Sequence, residues 1–204
     1  MAETPLLYLV RHAQTDANVE RRYAGWSDDS LNETGRGQAR ALGDRLASHG
    51  IRHVYSSPVR RAVETAELLA DAWEAEVRTV HDLHEIEIGP WRGFTEAEVE
   101  KGWPGDYRRW REEPAAFRLE GRESLAGLAE RAVQALDQIG HAQLAADEAP
   151  AVIVSHLALI RVLWLTARNA PLAEYHRVAA PHCEVFALRW LGRGRLAPEA
   201  SPPN

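Results

Sequence analysis

Leu6-Leu7-Tyr8-Leu9-Val10-Arg11-His12 and Ala151-Val152-Ile153-Val154-Ser155-His156 decide the reading of this chain. Each is a short apolar run that gives way to a polar residue and a histidine. Apolar runs of this length without polar alternation mark strands covered on both faces, the habit of parallel sheets. Leu6–Val10 and Ala151–Val154 are therefore expected to be buried parallel strands, each delivering a histidine at its carboxyl end. In such sheets ligands bind beyond the carboxyl ends of the strands. His12 and His156, far apart in sequence, are thus expected in one crevice.

The segments around these strands alternate with them. Asn32 is the expected N-cap of a helix running to about His49, with Ala39, Leu42 and Leu46 on one face and Gly50 as its stop. His53-Val54-Tyr55 reads as a short strand closed by Ser56-Ser57-Pro58. Pro58 is expected in the first turn of the next helix, which aligns Ala62, Ala66, Leu69 and Trp73. Ser124 opens a long helix with Leu125, Leu128, Ala132, Leu136 and Ile139 in line, and Val185–Trp190 is a last strand. Residues 90–122 break the pattern, with Trp91, Trp103 and Trp110 among clustered arginines and glycines, and are expected to be a small helical cap. The tail from Pro198 to Asn204 is expected to fray. The resulting expectation is one α/β domain over residues 1–204: a three-layer sandwich whose mostly parallel central sheet is flanked by helices, with the cap inserted at about 90–122.

Composition narrows the function classes. The 204 residues are 45% hydrophobic, enough for a substantial core, and the formal net charge is −6. An acidic balance argues against a general nucleic-acid binder, whose footprint is basic. The first apolar run is too short to cross a bilayer, and Met1–Pro5 lacks the basic flank and cleavage site of a signal peptide. The single cysteine, Cys183, permits no internal disulfide and suits a reducing compartment. A cytoplasmic protein without membrane or nucleic-acid partners is expected, with a homodimer left open.

The polar residues at the element boundaries fit the chemistry of a phosphate monoester. Such a group carries close to two negative charges and several strong acceptor oxygens, so it calls for guanidinium forks and N–H donors. Turnover further calls for a nucleophile and an acid for the departing oxygen. Arg11 and His12 follow the first strand, and Arg60 and Arg61 open the second long helix. Glu85 lies in the loop Leu83-His84-Glu85-Ile86-Glu87-Ile88-Gly89, and His156 precedes a helix whose N-terminus favours anions.

Leu9-Val10-Arg11-His12-Ala13-Gln14-Thr15 with Asn18 resembles the Arg-His-Gly signature of the histidine phosphatase (phosphoglycerate mutase-like) superfamily. In the same order follow Gly25-Trp26-Ser27-Asp28, Leu31-Asn32-Glu33-Thr34-Gly35, Ser56-Ser57-Pro58-Val59-Arg60-Arg61-Ala62, Leu83-x-Glu85 with Gly89-x-Trp91-x-Gly93, Gly121-Arg122-Glu123-Ser124 and Val154-Ser155-His156. The ordered set spans about residues 6–190. The resemblance implies phosphomonoester hydrolysis through a covalent phosphohistidine on a small phosphorylated metabolite. By it His12 is the nucleophile, and Arg11, Arg61 and His156 hold the phosphoryl oxygens. Asn18 adds a hydrogen bond, and Glu85 protonates the leaving oxygen and then activates water. Arginines stand where other phosphatases use a cation, so neither a metal nor another cofactor is expected.

Two positions depart from the family pattern. Ala13 stands for the glycine after the first histidine, and Leu157 for the glycine after the second, where it could narrow the pocket. Within the same chemistry the alternative is a cofactor-dependent phosphoglycerate mutase, although the compact cap looks more like the phosphatase branch. A non-catalytic phospho-ligand-binding protein is a second alternative, and a metallohydrolase using His81, His84 and Glu85 a third. That last spacing is not one of a standard zinc site. Tyr107-Arg108-Arg109-Trp110-Arg111 carries two open readings, a solvated face or a cleft-facing anion selector.

Overall fold

In the computed structural model, which describes residues 4–146 and 150–200, six strands form one central sheet in the order β3-β2-β4-β1-β5-β6. These are β1 (Leu6–Arg11), β2 (His53–Ser56), β3 (Glu76–Thr79), β4 (Ala151–Ser155), β5 (Val185–Trp190) and β6 (Leu196–Pro198). β1, β4, β2 and β3 run parallel, while β5 pairs antiparallel with β1 and the edge strand β6 antiparallel with β5. The sheet is therefore mostly parallel, as the apolar runs predict.

Pleat alternation sends each strand's side chains to two cores. Leu7 and Leu9 of β1, Ile153 of β4 and Leu188 of β5 join one cluster with helices α6 (Leu125–Ala146) and α7 (Leu157–Ala167). Tyr8 and Val10, Val152 and Val154, and Ala187 join the other, with α2 (Glu33–Leu46) and α3 (Arg60–Trp73). Two helical layers thus enclose the sheet. A register slip of one residue would exchange the two sets, so burial on both faces fixes the pairing Val10↔Val154 and Arg11↔Ser155.

Local signals explain most boundaries. Asn32 caps α2, its side chain accepting from the Gly35 N–H at 2.9 Å. The helix itself ends at Leu46; a 3-10 turn over Ala47–His49 follows, and Gly50 takes the left-handed conformation at φ 66°. Ser124 caps α6 through the Gly127 N–H. Gly140 on α6 lies so close to Trp190 that an added Cβ would come within 2.3 Å of its indole.

The structure corrects three expectations. Pro58 precedes α3 rather than opening it, because Val59 is the N-cap and its N–H goes to Ser57 Oγ. β3 is an additional edge strand whose mostly exposed side chains give no buried period. Pro198 does not fray: it ends β6, and Glu199 donates its N–H to the Ala187 carbonyl. The rest of the expected tail, 201–204, lies outside the described residues.

Two short helices, α4 (Glu96–Gly102) and α5 (Pro104–Glu112), lie within the segment expected as a cap, and the four-residue α1 (Asp16–Val19) lies between β1 and α2. Trp91, Val99, Trp110 and Phe117 from this segment share the cluster that holds Leu7 and Leu9, so it is joined to the sheet's own core. No helix among the described residues is long and apolar enough to cross a membrane.

Candidate active site

β1 and β4 are hydrogen-bonded neighbours, so their carboxyl ends place His12 and His156 side by side, ring centroids 5.2 Å apart. The His12 N–H donates to the Ser155 carbonyl at 2.9 Å. Both histidines are buried, at 3% and 0% exposure. His12 Nδ1 lies 2.7 Å from the Ala13 carbonyl, an acceptor only, which puts the ring proton on Nδ1. Nε2 is left as a lone pair and receives the Arg61 Nε–H at 3.1 Å. Burial, then Arg61 and Arg11, push His12 well below the usual histidine range, so at neutral pH it is an uncharged imidazole.

Arg61 reaches this point because it sits in the first turn of α3 at the end of β2. Its fork donates to the Ser27 and Gly25 carbonyls at 3.2 and 2.6 Å, and Nη2 lies 3.3 Å from His156 Nδ1. His156 is the N-cap of α7, and its Nε2 is 2.7 Å from Ser57 Oγ. Burial depresses its basicity first, with Arg61 and His12 adding to the effect. The neighbouring Arg60 is half-exposed and pairs with Glu64 and Asp28 outside the site.

Arg11 donates from Nη1 to the Ala180 carbonyl at 2.8 Å, while its Nε is buried with no protein partner. Burial lowers its pKa to about 10, still fully charged at neutral pH. Asn18 lines the same cavity, and its Oδ1 accepts from both the N–H and the hydroxyl of Thr15, which turns the amide nitrogen outward. Glu85 is half-buried; Oε1 accepts from the Ile86 N–H at 2.9 Å and the Ala158 N–H at 3.3 Å. Loss of solvent raises its pKa against the pull of those N–H groups, Arg61 and Arg11. Five of the six residues singled out from the sequence, Arg11, His12, Asn18, Arg61 and Glu85, line one cavity of about 510 Å³, and His156 lies behind Arg61 without lining it.

The arrangement offers an uncharged nitrogen nucleophile, two fixed guanidinium groups and a carboxyl that holds its proton above the ordinary range. Such a set has the chemistry to accept a phosphoryl group. The sequence model of the histidine phosphatase superfamily (branch 1) matches residues 7–198. The chain belongs to that superfamily. Phosphoserine phosphatase 1 of Hydrogenobacter thermophilus is 34% identical over 169 residues, covering 83% of this chain and 79% of that protein. Phosphoglycerate mutase-like protein 4 of Arabidopsis thaliana is 36% identical over 185 residues, 89% of this chain and 79% of its own length. Among solved structures, mycobacterial glucosyl-3-phosphoglycerate phosphatase in complex with VO3 superposes with a TM-score of 0.85 at 29% identity, covering 98% of this chain and 100% of that one.

Other site residues of this histidine phosphatase escaped the sequence reading. His182 lies 5.5 Å from the His12 ring, with Nδ1 2.8 Å from the His12 carbonyl. Burial and Arg11 lower it to about 4. It stands just before β5, and only the antiparallel direction of that strand brings its beginning to the crevice. Cys183, also buried, donates its N–H to the Arg11 carbonyl, and burial pushes its thiol up to about 12. Thr65 accepts the Ala13 N–H and donates to the Arg61 carbonyl, tying α3 to the loop after His12. Ala13 itself is fully buried and is not among the residues that line the cavity.

The acidic loop is held from α6. Arg131 pairs with Glu123 and donates to the carbonyls of Asp82, His84 and Glu85, while Trp26 also donates to Glu85. Neither partner of the Arg131–Glu123 pair is a helical neighbour of the other, so sequence spacing gives no signal. His81, Asp82 and His84 bring ligand atoms within 4.8 Å of one another, but Glu85 is turned to Ile86 and Ala158, so the trio His81, His84 and Glu85 does not converge. Leu157 lines the cavity wall. Of the Tyr107–Arg111 segment, Trp110 and Arg111 face the cavity, Arg108 is exposed, and Arg109 pairs outside it with Asp106.

Proposed function

We propose that the chain hydrolyses small phosphomonoesters through a phosphohistidine on His12. The carrying observation is the fixed tautomer of His12, whose Nδ1–H is held by Ala13 and whose Nε2 lone pair lies at the cavity between Arg61 and His156. When substrate binds, the Arg61 Nε–H transfers its hydrogen bond from Nε2 to a phosphoryl oxygen, freeing the lone pair. Nε2 then attacks phosphorus and the phosphorus–oxygen bond breaks. Glu85 gives its proton to the departing oxygen. Arg11, Arg61 and Asn18 hold the equatorial oxygens, where charge accumulates, and His156 backs the Arg61 fork from the far side. In the second step the Glu85 carboxylate takes a proton from water, and the water oxygen attacks phosphorus. The phosphorus–nitrogen bond breaks, releasing inorganic phosphate and restoring neutral His12.

The relatives named phosphoserine phosphatase and glucosyl-3-phosphoglycerate phosphatase favour hydrolysis of a small phosphorylated metabolite. The test is p-nitrophenyl phosphate hydrolysis by wild type and His12→Ala in EDTA. Turnover by the wild type alone is expected; equal turnover by both would overturn His12 as nucleophile, and loss of wild-type turnover in EDTA would favour a metallohydrolase. A second reading, mutase activity, draws on the phosphoglycerate mutase-like relative. It predicts 2-phosphoglycerate from 3-phosphoglycerate with little free phosphate once 2,3-bisphosphoglycerate is added. Leu157 alone favours a third reading, binding without turnover. The lone, buried Cys183 supports a cytoplasmic site of action, and light scattering decides between a monomer and a homodimer.

A further inference from the structure

Seven arginines and two glutamates line the cavity of a chain whose net charge is −6. Five of these arginines have evident tasks. Arg11 and Arg61 face His12. Arg22 is held by Glu20 and by the Gly93 carbonyl. Arg21 and Arg111 approach Glu96, at 3.8 and 4.0 Å. Arg122 and Arg161 remain.

Arg122 is stacked on aromatic rings, its Cζ 4.2 Å from the Trp110 centroid and 5.0 Å from that of Trp91. Stacking fixes the plane of a guanidinium but leaves its in-plane N–H groups unsatisfied. Its Nη1 is buried without a protein partner, and burial lowers its pKa. The adjacent Glu123 is taken by Arg131. Arg161 comes from α7, donates Nε to the Val178 carbonyl at 2.8 Å, and lies 4.9 Å over the Tyr175 ring. The Trp110 and Tyr175 rings are neighbours, centroids 5.1 Å apart, so the two arginines stack on adjacent rings. Among the described residues neither is in an ion pair. Partly buried, pre-oriented and unpaired guanidinium groups are costly unless an anion completes them.

We infer that Arg122 and Arg161 form a second anion subsite, which receives a carboxylate or phosphate group carried by the same molecule whose phosphate faces His12. The substrate class is then a phosphomonoester bearing a second anionic group. This rests on the reading of His12 as the phosphoryl acceptor.

The test uses phosphonates, whose phosphorus–carbon bond is not hydrolysed, so binding is read whether or not the chain turns over. Phosphonocarboxylates of increasing length are titrated calorimetrically, each against the alkylphosphonate of equal length and the corresponding bisphosphonate. At the length that spans the cavity, the second anion is expected to tighten binding by roughly one to two orders of magnitude. Preference for carboxylate or phosphonate at that end identifies the second group. The advantage is expected to vanish in Arg122→Gln and in Arg161→Gln and to survive partly in Arg122→Lys, which also controls for folding. Equal affinities at every length, or an advantage that persists in the double glutamine variant, would overturn the subsite. Failure to hydrolyse p-nitrophenyl phosphate counts against the His12 reading alone.

Discussion

Replacing Arg61 by lysine separates a guanidinium fork from a mere positive charge. Arg61 is 2% exposed and serves four acceptors at once: His12 Nε2, the Ser27 carbonyl, the Gly25 carbonyl and His156 Nδ1. A lysine ammonium keeps the charge but concentrates its donors at one point, so it cannot span two backbone carbonyls and two imidazoles. At least two charge-assisted bonds are lost. At about 1.5–3 kcal/mol each, the loss is about 3 kcal/mol or more. For a chain of this size that lowers Tm by roughly 6–12 °C. The same change removes the Nε–H donor from the charge developing on the phosphoryl oxygens, for which about 10²–10³ in kcat is expected. Steady-state hydrolysis of p-nitrophenyl phosphate and a thermal melt measure both quantities on one preparation. A lysine variant indistinguishable from wild type in kcat would refute the assignment of the fork to the phosphoryl group. An unchanged Tm would refute the hydrogen-bond count.

Glu85→Gln keeps the acceptor for Ile86 and Ala158 but has no proton to give. It should slow alkyl phosphate hydrolysis by roughly 10²–10⁴ and p-nitrophenyl phosphate far less, since nitrophenolate leaves without help; equal losses on both substrates would remove the acid role. The depressed pKa of buried His12 and His156 and of half-buried His182 means that the unfolded chain binds their protons first as pH falls below about 6.5, so stability should drop from there downward. Each contributes a slope of up to about 1.4 kcal/mol per pH unit. Glu85, whose pKa is raised, opposes this trend above its ordinary value near 4.5. A Tm that is flat between pH 7 and 5 would contradict the buried neutral histidines. Gly140→Ala drives a methyl group into Trp190, whose indole N–H is already fixed on Asp137, at the sheet end opposite His12. It should cost about 1–3 kcal/mol while leaving the kcat of folded protein unchanged; a fall in kcat without a fall in Tm would contradict the placement.

The strands that carry the chemistry were readable because both their faces are buried. β1 and β4 lack polar alternation, and each ends where its histidine begins. β3 was invisible for the opposite reason: an edge strand with exposed side chains has no apolar run to read. Within the site, Arg11, His12, Arg61 and His156 follow strand ends or open helices, positions that sequence pattern can locate, whereas Asn18 in the short α1 and Glu85 in a loop owe their selection to the ordered family motifs. His182 could not be placed, because its approach depends on the direction of β5, which hydrophobicity does not encode. Arg122 and Arg131 were equally hidden. Both act through aromatic faces or loop carbonyls brought near only by the packing of the segment around Trp91 and Trp110 against α6.

Cys183 has a bearing on how the enzyme withstands oxidants. Its thiol, buried and titrating near 12, is ionised to only about one part in 10⁵ at neutral pH. Peroxide and alkylating agents react with the thiolate, so this sulfur is chemically silent while the chain is folded. The sequence holds no other cysteine, and its one methionine is Met1. The proposed nucleophile is an imidazole, which does not enter the sulfenic–sulfinic ladder that inactivates thiol-based phosphatases. Hydrolysis should therefore persist through peroxide exposure, and the first uptake of a thiol reagent should report unfolding rather than loss of the catalytic group.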